Sequence, residues 1–434
     1  MSALLIRNGT LLDPQRGVQE GMDILLEKQR ISQIGRDIPV PSRCEVVDVH
    51  GKWVLPGVID AHAHISEPNR LDRETIASLG RAAASGGVTS VIVRPSDDLP
   101  LDNIALVEFL RSKAFQQTKT RIFPVAAATA KRQGKQLIDM GELAGAGVVA
   151  AGDDMRAGAS AQITRRAMEY ARMFDLPYFS FPMDPSLAGR GMINEGYTST
   201  MLGLAGSPAS AEEIIVIRDI ILARDAKCRL HLSPVTTVAS VELVRRAKAD
   251  GISVTAETHP HYFILTEAAC QGYDTNTKVD PPLRTEADVD AVCRGIKDGT
   301  IDIVASGHTP LSIIDKDLEF DIAVEGISGI EILIPLCITY LVKHGIVYPE
   351  HLANLLSMNP ARLLGQPLLG RFEPGAAADI TVVDPDLVRV VDPVAFKGRG
   401  RNTPFAGMEL AGWSILTVAN GEIIMRDGEL KYGQ

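Results

Sequence analysis

Apolar and polar positions alternate in short bursts at the start of the chain. Leu4-Leu5-Ile6-Arg7-Asn8-Gly9-Thr10-Leu11-Leu12, Met22-Asp23-Ile24-Leu25-Leu26 and Arg30-Ile31-Ser32-Gln33-Ile34-Gly35 are each bounded by turn-forming residues, a pattern that predicts short strands. The same style returns at the other end, in Ala378-Asp379-Ile380-Thr381-Val382-Val383 and from Ile415 to Met425. Between these ends, brief apolar runs (Ser90-Val91-Ile92-Val93, Val148-Val149-Ala150-Ala151, Tyr178-Phe179-Ser180-Phe181, Arg229-Leu230-His231-Leu232, Ser253-Val254-Thr255-Ala256 and Ile301-Asp302-Ile303-Val304-Ala305) alternate with helix-length stretches. In the stretches from Ala211 to Arg224 and from Val238 to Ala249 apolar residues recur at three and four, as on one face of a helix. Repeated β-α units of this kind predict an α/β fold, a (β/α)₈ TIM-like barrel. A small β-sandwich domain built from both termini is expected beside it. The expected boundaries are 1–55 for the N-terminal part of the sandwich, 56–365 for the barrel and 366–434 for the C-terminal part. An open doubly wound sheet would carry a glycine-rich phosphate turn after an early strand, and none of the standard form is present.

Composition narrows the picture. A length of 434 residues suits one large barrel plus an accessory unit, and 45% hydrophobic with 23% charged residues is ordinary for a soluble globular chain. No apolar run reaches the length of a membrane span, and the N-terminal residues lack the basic start and long apolar core of a secretory signal, so a cytoplasmic location is expected. A formal net charge of −10 argues against phosphate-backbone binding. Cys44, Cys228, Cys270, Cys293 and Cys337 are scattered without a C-x-x-C pair, which fits reduced packing residues.

The chemistry starts where the apolar run Val54-Leu55-Pro56-Gly57-Val58-Ile59 ends in Asp60-Ala61-His62-Ala63-His64. Side chains at alternate strand positions share a face, so His62 and His64 can aim at one ion from a barrel mouth. A second such pair, His259 and His261, stands in Glu257-Thr258-His259-Pro260-His261. From Pro56 through His64 and onward the chain resembles the amidohydrolase superfamily and, within it, the bacterial type I dihydroorotases. Further matching stretches are Asp153-Asp154, Met192-Ile193-Asn194-Glu195-Gly196, Ser240 to Lys248, Pro260-His261-Tyr262, Lys278-Val279-Asp280-Pro281-Pro282-Leu283-Arg284, Asp298-Gly299-Thr300-Ile301-Asp302 and Gly400-Arg401-Asn402-Thr403-Pro404-Phe405.

The resemblance implies a barrel of the amidohydrolase type in which a metal-activated water attacks a ring amide and a final-strand aspartate shuttles the proton. It places His62 and His64 as the first ligand pair and Asp153 as the bridging carboxylate, with Asp154 the alternative at one residue's shift. Other positions depart from the pattern. Phe181 and Pro234 occupy the two later histidine positions, Gly307 the aspartate position, and Ser66 and Ser96 the positions of the substrate-gripping arginine and asparagine. Together these imply a catalytically inactive dihydroorotase-like chain, with no intact substrate-binding residue, that serves as a structural subunit for aspartate transcarbamoylase in pyrimidine biosynthesis, as a homo- or hetero-oligomer. No cofactor is expected, beyond a single zinc at a remnant site of His62, His64 and Asp153. The alternative is a mononuclear-metal amidohydrolase acting on another cyclic amide, hydantoin- or dihydropyrimidine-like, with its base supplied by His259 or His261. His231 and His308 are expected as hydrogen-bonded remnants, Glu195, Lys278 and Arg284 in structural roles, and Asp97-Asp98 as a solvated turn.

Overall fold

In the computed structural model, which describes residues 3–153 and 159–432, the apolar runs of the middle of the chain become eight parallel strands in one sheet. In chain order they are Val58–Ala63, Val88–Val93, Arg121–Ala126, Ala150–Ala151, Tyr178–Ser180, Leu230–Leu232, Val254–Thr258 and Ile303–Val304. Every residue of the first two is buried, as parallel strands covered on both sides must be. The ring closes between its last and first strands. Ala63 bridges His308, the His64 amide donates to the His308 carbonyl at 2.9 Å, and the His308 amide donates to the His62 carbonyl at 3.0 Å. Helices Ser210–Ala226 and Val238–Ala249 pack side by side outside the barrel, within two residues of the periodicity in the sequence.

One irregularity positions chemistry. Ile59 and Ala61 belong to an interior cluster with Ile92, Val125, Ala150, Phe179 and Ile303, and simple alternation would then turn His62 away from it. The register of the first strand against the second breaks between Asp60 and Ala63, and beyond the break His62 faces the mouth. A local bulge is a common way to re-aim a side chain. The Asp60 carboxylate anchors this turn, accepting from the Ser306 amide at 2.8 Å and the Ser306 hydroxyl at 2.5 Å.

The termini form one nine-stranded mixed sheet. Strands Ala3–Asp13, Gly17–Glu27, Arg30–Gly35, Cys44–Asp48 and Trp53–Pro56 come from one end, and Ile380–Val390, Glu409–Ala419, Glu422–Arg426 and Glu429–Leu430 from the other. The join runs between Trp53–Pro56 and Ile380–Val383, antiparallel with Pro56 opposite Ile380. Since Trp53–Pro56 feeds directly into the first barrel strand, the joint sheet fixes the strand that carries His62.

Behind the mouth lies a second buried polar group. Glu331 accepts from the Lys397 amide at 2.7 Å and the Gly398 amide at 2.9 Å, and burial pushes its carboxyl up to about 7. Glu74, fully buried, lies 3.4 Å from His308 Nε2. These carboxylates fasten the 397–399 segment to the barrel. Among the described residues no helix is long and apolar enough to cross a membrane.

Candidate metal centre

Glu257, at the mouth end of its strand and completely buried, is the hub of the barrel's interior. Its Oε1 lies 2.8 Å from His62 Nδ1 and 3.3 Å from His259 Nε2, its Oε2 lies 2.9 Å from His231 Nε2, and the Ser233 hydroxyl also donates to Oε1. A carboxylate has no proton to offer, so each imidazole N–H donates. Burial works against the charge, but the hydrogen bonds from His231, His259 and His62 hold Glu257 well below the usual carboxylate range. It is ionised. Burial also lowers His259, partly offset by Glu257, and holds His261 well below an ordinary histidine, with His259 and His62 adding to the effect. Both rings are therefore neutral at neutral pH.

Ligand atoms of His62, Glu257 and His259 all lie within 4.8 Å of one another. Two imidazoles and a carboxylate are the donor set of one class of catalytic zinc site, which leaves a fourth position open. The chemistry of the donors therefore fits a divalent ion: neutral rings, an ionised carboxylate, and contacts among the donor atoms that an ion would replace as the ring protons leave.

Of the residues expected at a remnant site, the structure puts only His62 in this group. His64 lines the mouth but turns its Nδ1 to Thr309 Oγ1 at 3.0 Å. Asp153 caps a loop, accepting from the Ala128 and Thr129 amides at 2.8 Å each and from the Thr129 hydroxyl at 2.5 Å. Asp154 lies outside the described residues. Phe181 lines the mouth, while Pro234 follows Ser233 inside the buried segment between the sixth and seventh barrel strands. A side chain built on Gly307 would place its Cβ 2.5 Å from His259 Nδ1, and its φ of +62° is a left-handed conformation that favours glycine. His259 thus takes up the space an aspartate would need. Ser66 is tied by its amide to the Glu74 carbonyl, and Ser96 donates to the Ile65 carbonyl; neither lines the mouth cavity.

Sequence reasoning missed Glu257 as a candidate ligand. Its signal was an acidic residue two positions before His259 at a strand end, one step beyond the histidine pair. Arg94 was missed as well, as a lone cation closing the apolar run Ser90 to Val93. Its guanidinium is fully buried, stacks 4.6 Å from the centre of the Phe179 ring, and donates to Ser233 Oγ at 3.2 Å. His231 is hydrogen-bonded as expected, to Thr255 and Glu257. Lys278 donates to the Asp321 and Ala323 carbonyls, and Arg284 to Asn194 and Glu212. Asp97 and Asp98 differ from the expected unpartnered turn, since they pair with Arg132 and Arg73.

The mouth cavity, about 40 Å³, is lined by His62, His64, Phe181, His259, His261, Val279, Asp280, Gly307, Thr309, Glu325, Gly326 and Ile327. A parallel barrel that gathers imidazoles and a carboxylate at its C-terminal mouth is the framework of a metal-assisted hydrolase. Comparison with known proteins agrees. Residues 51–240 match the family described as dihydro-orotase-like, and residues 205–424 match the amidohydrolase family. The dihydroorotase of Pelotomaculum thermopropionicum is 44% identical over 98% of this chain and 99% of its own length, and that of Acetivibrio thermocellus is 43% identical over the same shares. Among solved structures, the L-hydantoinase (dihydropyrimidinase) of Arthrobacter aurescens superimposes with a TM-score of 0.89 at 24% identity, covering 100% of this chain and 98% of its own, a likeness of fold. The chain belongs to the amidohydrolase family, in its dihydroorotase-like group. The expectation of a catalytically inactive chain is overturned on two grounds. Full-length relatives at this level of identity carry an enzyme's name, and His62, Glu257 and His259 come together where the expected ligand positions had been emptied.

Proposed function

We propose that this protein is a metal-dependent amidohydrolase that opens the ring of a neutral cyclic amide of the dihydropyrimidine or hydantoin type. One observation carries the reading. Among the described residues, the cavity beside the ion-binding group is lined by four histidines together with Asp280 and Glu325, and by no lysine or arginine. A ring bearing its own carboxylate would meet Asp280 and Glu325, the latter 3.8 Å from Lys278 Nζ, and no cationic fork among the described lining residues. A neutral ring meets no such penalty.

His62, Glu257 and His259 would hold the ion, which as a Lewis acid would polarise the amide carbonyl. The remaining work falls to the chain's own side chains. Ser233 and His231 orient the Glu257 carboxylate through its two oxygens. His64, anchored to Thr309 and lining the cavity, takes the proton from the attacking water and returns it to the leaving amide nitrogen. His261 is a poor base for that task, because burial, with His259 and His62 adding to it, holds its ring well below an ordinary histidine. The cavity has room for an ion and a few waters, so ring entry requires the rim at Phe181, Glu325 and Ile327 to part.

The test is zinc analysis of the purified protein followed by a hydrolysis screen of dihydrouracil, hydantoin and dihydroorotate. Turnover of the neutral rings in preference to dihydroorotate supports the proposal. Efficient turnover of dihydroorotate alone supports a second reading, favoured by the names of the relatives, and rejects the neutral-ring preference.

Assembly with an aspartate transcarbamoylase catalytic subunit is a separate proposal that does not depend on catalysis. Helix Ser210–Ala226 presents Ile214, Ile217 and Ile221 to solvent at 47%, 44% and 42% exposure, an apolar stripe of the sort that partners cover. Co-elution of the two co-expressed proteins on size exclusion supports this proposal, and separate peaks reject it.

A further inference from the structure

Lys278 stands between two loops that meet at the barrel mouth, and it bonds along the whole length of one of them. Its buried ammonium donates to the Asp321 carbonyl at 3.0 Å and the Ala323 carbonyl at 2.7 Å, and it lies 3.8 Å from the Glu325 carboxylate. Its own carbonyl accepts from the Gly326 amide at 3.0 Å and from Lys316 Nζ at 3.4 Å. One residue thus holds the middle and both flanks of the stretch 317–325. The last side chain of that stretch, Glu325, lines the mouth cavity.

The flanks are fastened a second time. Arg73 grips the Asp315 carboxylate with two N–H groups, at 2.9 and 3.0 Å, and Lys316 Nζ donates to the Thr275 carbonyl at 2.7 Å. Beyond the far end, the side-chain amide of Asn402 donates to the Gly326 carbonyl at 3.0 Å and to the Thr309 carbonyl at 3.1 Å. Between these anchors Leu318 and Ile322 are exposed, while Phe320 is buried in an apolar cluster with Ile193, Tyr262, Val279 and Ile327. A segment with firm ends and few buried apolar side chains can open without unfolding its neighbours. Its closed position leans on the Lys278 ammonium. Without that donor the buried Ala323 carbonyl would lose its charged partner, and opening would let water take the place.

We infer that Lys278 is a positioning residue that latches 317–325 as a flap over the mouth, hinged at Lys316 and Gly326, and that release of this latch admits the substrate ring. The inference rests on the proposed amidohydrolase reading for its substrate. It adds to that reading a moving part, two hinges and a latch.

The experiment is hydrogen exchange on the full-length protein, paired with hydrolysis of hydantoin and of 5-benzylhydantoin by the zinc-loaded protein. It compares wild type with Lys278→Met, which keeps the apolar stem without the donors, and Lys278→Arg, which keeps charge and donors. In Lys278→Met the Ala323 and Val324 amides should exchange at least about tenfold faster than in wild type, while those of helix Val238–Ala249 stay within about threefold. Lys278→Arg should restore flap exchange to within about threefold of wild type. The ratio of kcat/KM for 5-benzylhydantoin to that for hydantoin should rise at least about fivefold in Lys278→Met, because a loose flap admits the bulkier ring. Exchange that quickens equally throughout the chain, as loss of a purely structural side chain would cause, or that does not quicken in the flap, would overturn the latch. Faster flap exchange with an unchanged substrate ratio would overturn the flap as the ring's entrance. Failure of zinc-loaded wild type to hydrolyse either ring, with the exchange contrast present, would overturn the amidohydrolase reading while upholding the latch. Should Lys278→Met fail to fold, Phe320→Leu loosens the flap at its apolar anchor: faster exchange confined to the flap supports the inference, and uniform exchange overturns it.

Discussion

Replacing Gly307 with alanine adds one methyl group at the tightest point of the candidate centre. The added Cβ would lie 2.5 Å from His259 Nδ1 and 2.9 Å from its Cγ, and the backbone there has φ +62°. Two costs follow. A side chain in the left-handed region costs about 1–2 kcal/mol, and overpacking a tight interior costs about 1–3 kcal/mol more. The total is about 2–5 kcal/mol, larger than the effect of most single substitutions. The ring of His259 must swing away to relieve the contact, so zinc affinity should also fall by about tenfold or more. Gly299→Ala is the control. Its φ of +78° is equally left-handed, but a Cβ there meets nothing within 4 Å, so only the backbone cost of about 1–2 kcal/mol applies. Urea unfolding of the two variants, with zinc titration of each, separates the terms. If Gly307→Ala proves no less stable than Gly299→Ala and binds zinc like wild type, the placement of His259 against Gly307 is wrong.

Two further outcomes are expected. Glu257→Gln removes the charge that three imidazoles share; zinc affinity should drop at least tenfold and stability by about 1.5–3 kcal/mol, and undiminished zinc binding in dialysis would reject Glu257 as a ligand. Glu331 has its carboxyl raised to about 7 by burial, so the folded state binds the proton more tightly than the unfolded chain. The stability this confers is full below the ordinary glutamate value and is lost as pH rises toward and through 7. Glu331→Gln, which mimics the protonated form, should therefore be more stable than wild type at pH 8 by on the order of 3 kcal/mol, with the gap closing near pH 4.5. Denaturant midpoints that show the same difference at both pH values would count against a buried, protonated Glu331.

The architecture was legible because it follows from periodicity. Strand runs such as Ser90 to Val93 and helices such as Val238 to Ala249 bury one face or both, and burial writes itself into spacing. The alternation at both termini likewise foretold a shared sheet. The centre was harder to read. Comparison by position finds His62 and His64, but a break in register between Asp60 and Ala63 decides which of them meets Glu257, and alternation cannot show such a break. The replacement of later histidine positions by Phe181 and Pro234 suggested an emptied site, because a linear reading weighs each lost donor by itself. It does not see that His259 and Glu257, from the neighbouring end of another strand, converge on His62. Nor does it show that Gly307 is small because His259 stands where a side chain would go.

The pairing of Pro56 with Ile380 has a bearing on the order in which the molecule is completed. Trp53–Pro56 leaves the ribosome early, yet its antiparallel neighbour follows the whole barrel. Contacts between such distant segments form slowly, since the intervening chain must first be brought to order. The strand leading to His62 therefore gains this second neighbour, beside its pairing with Ala3–Asp13, only after the barrel residues have been synthesised.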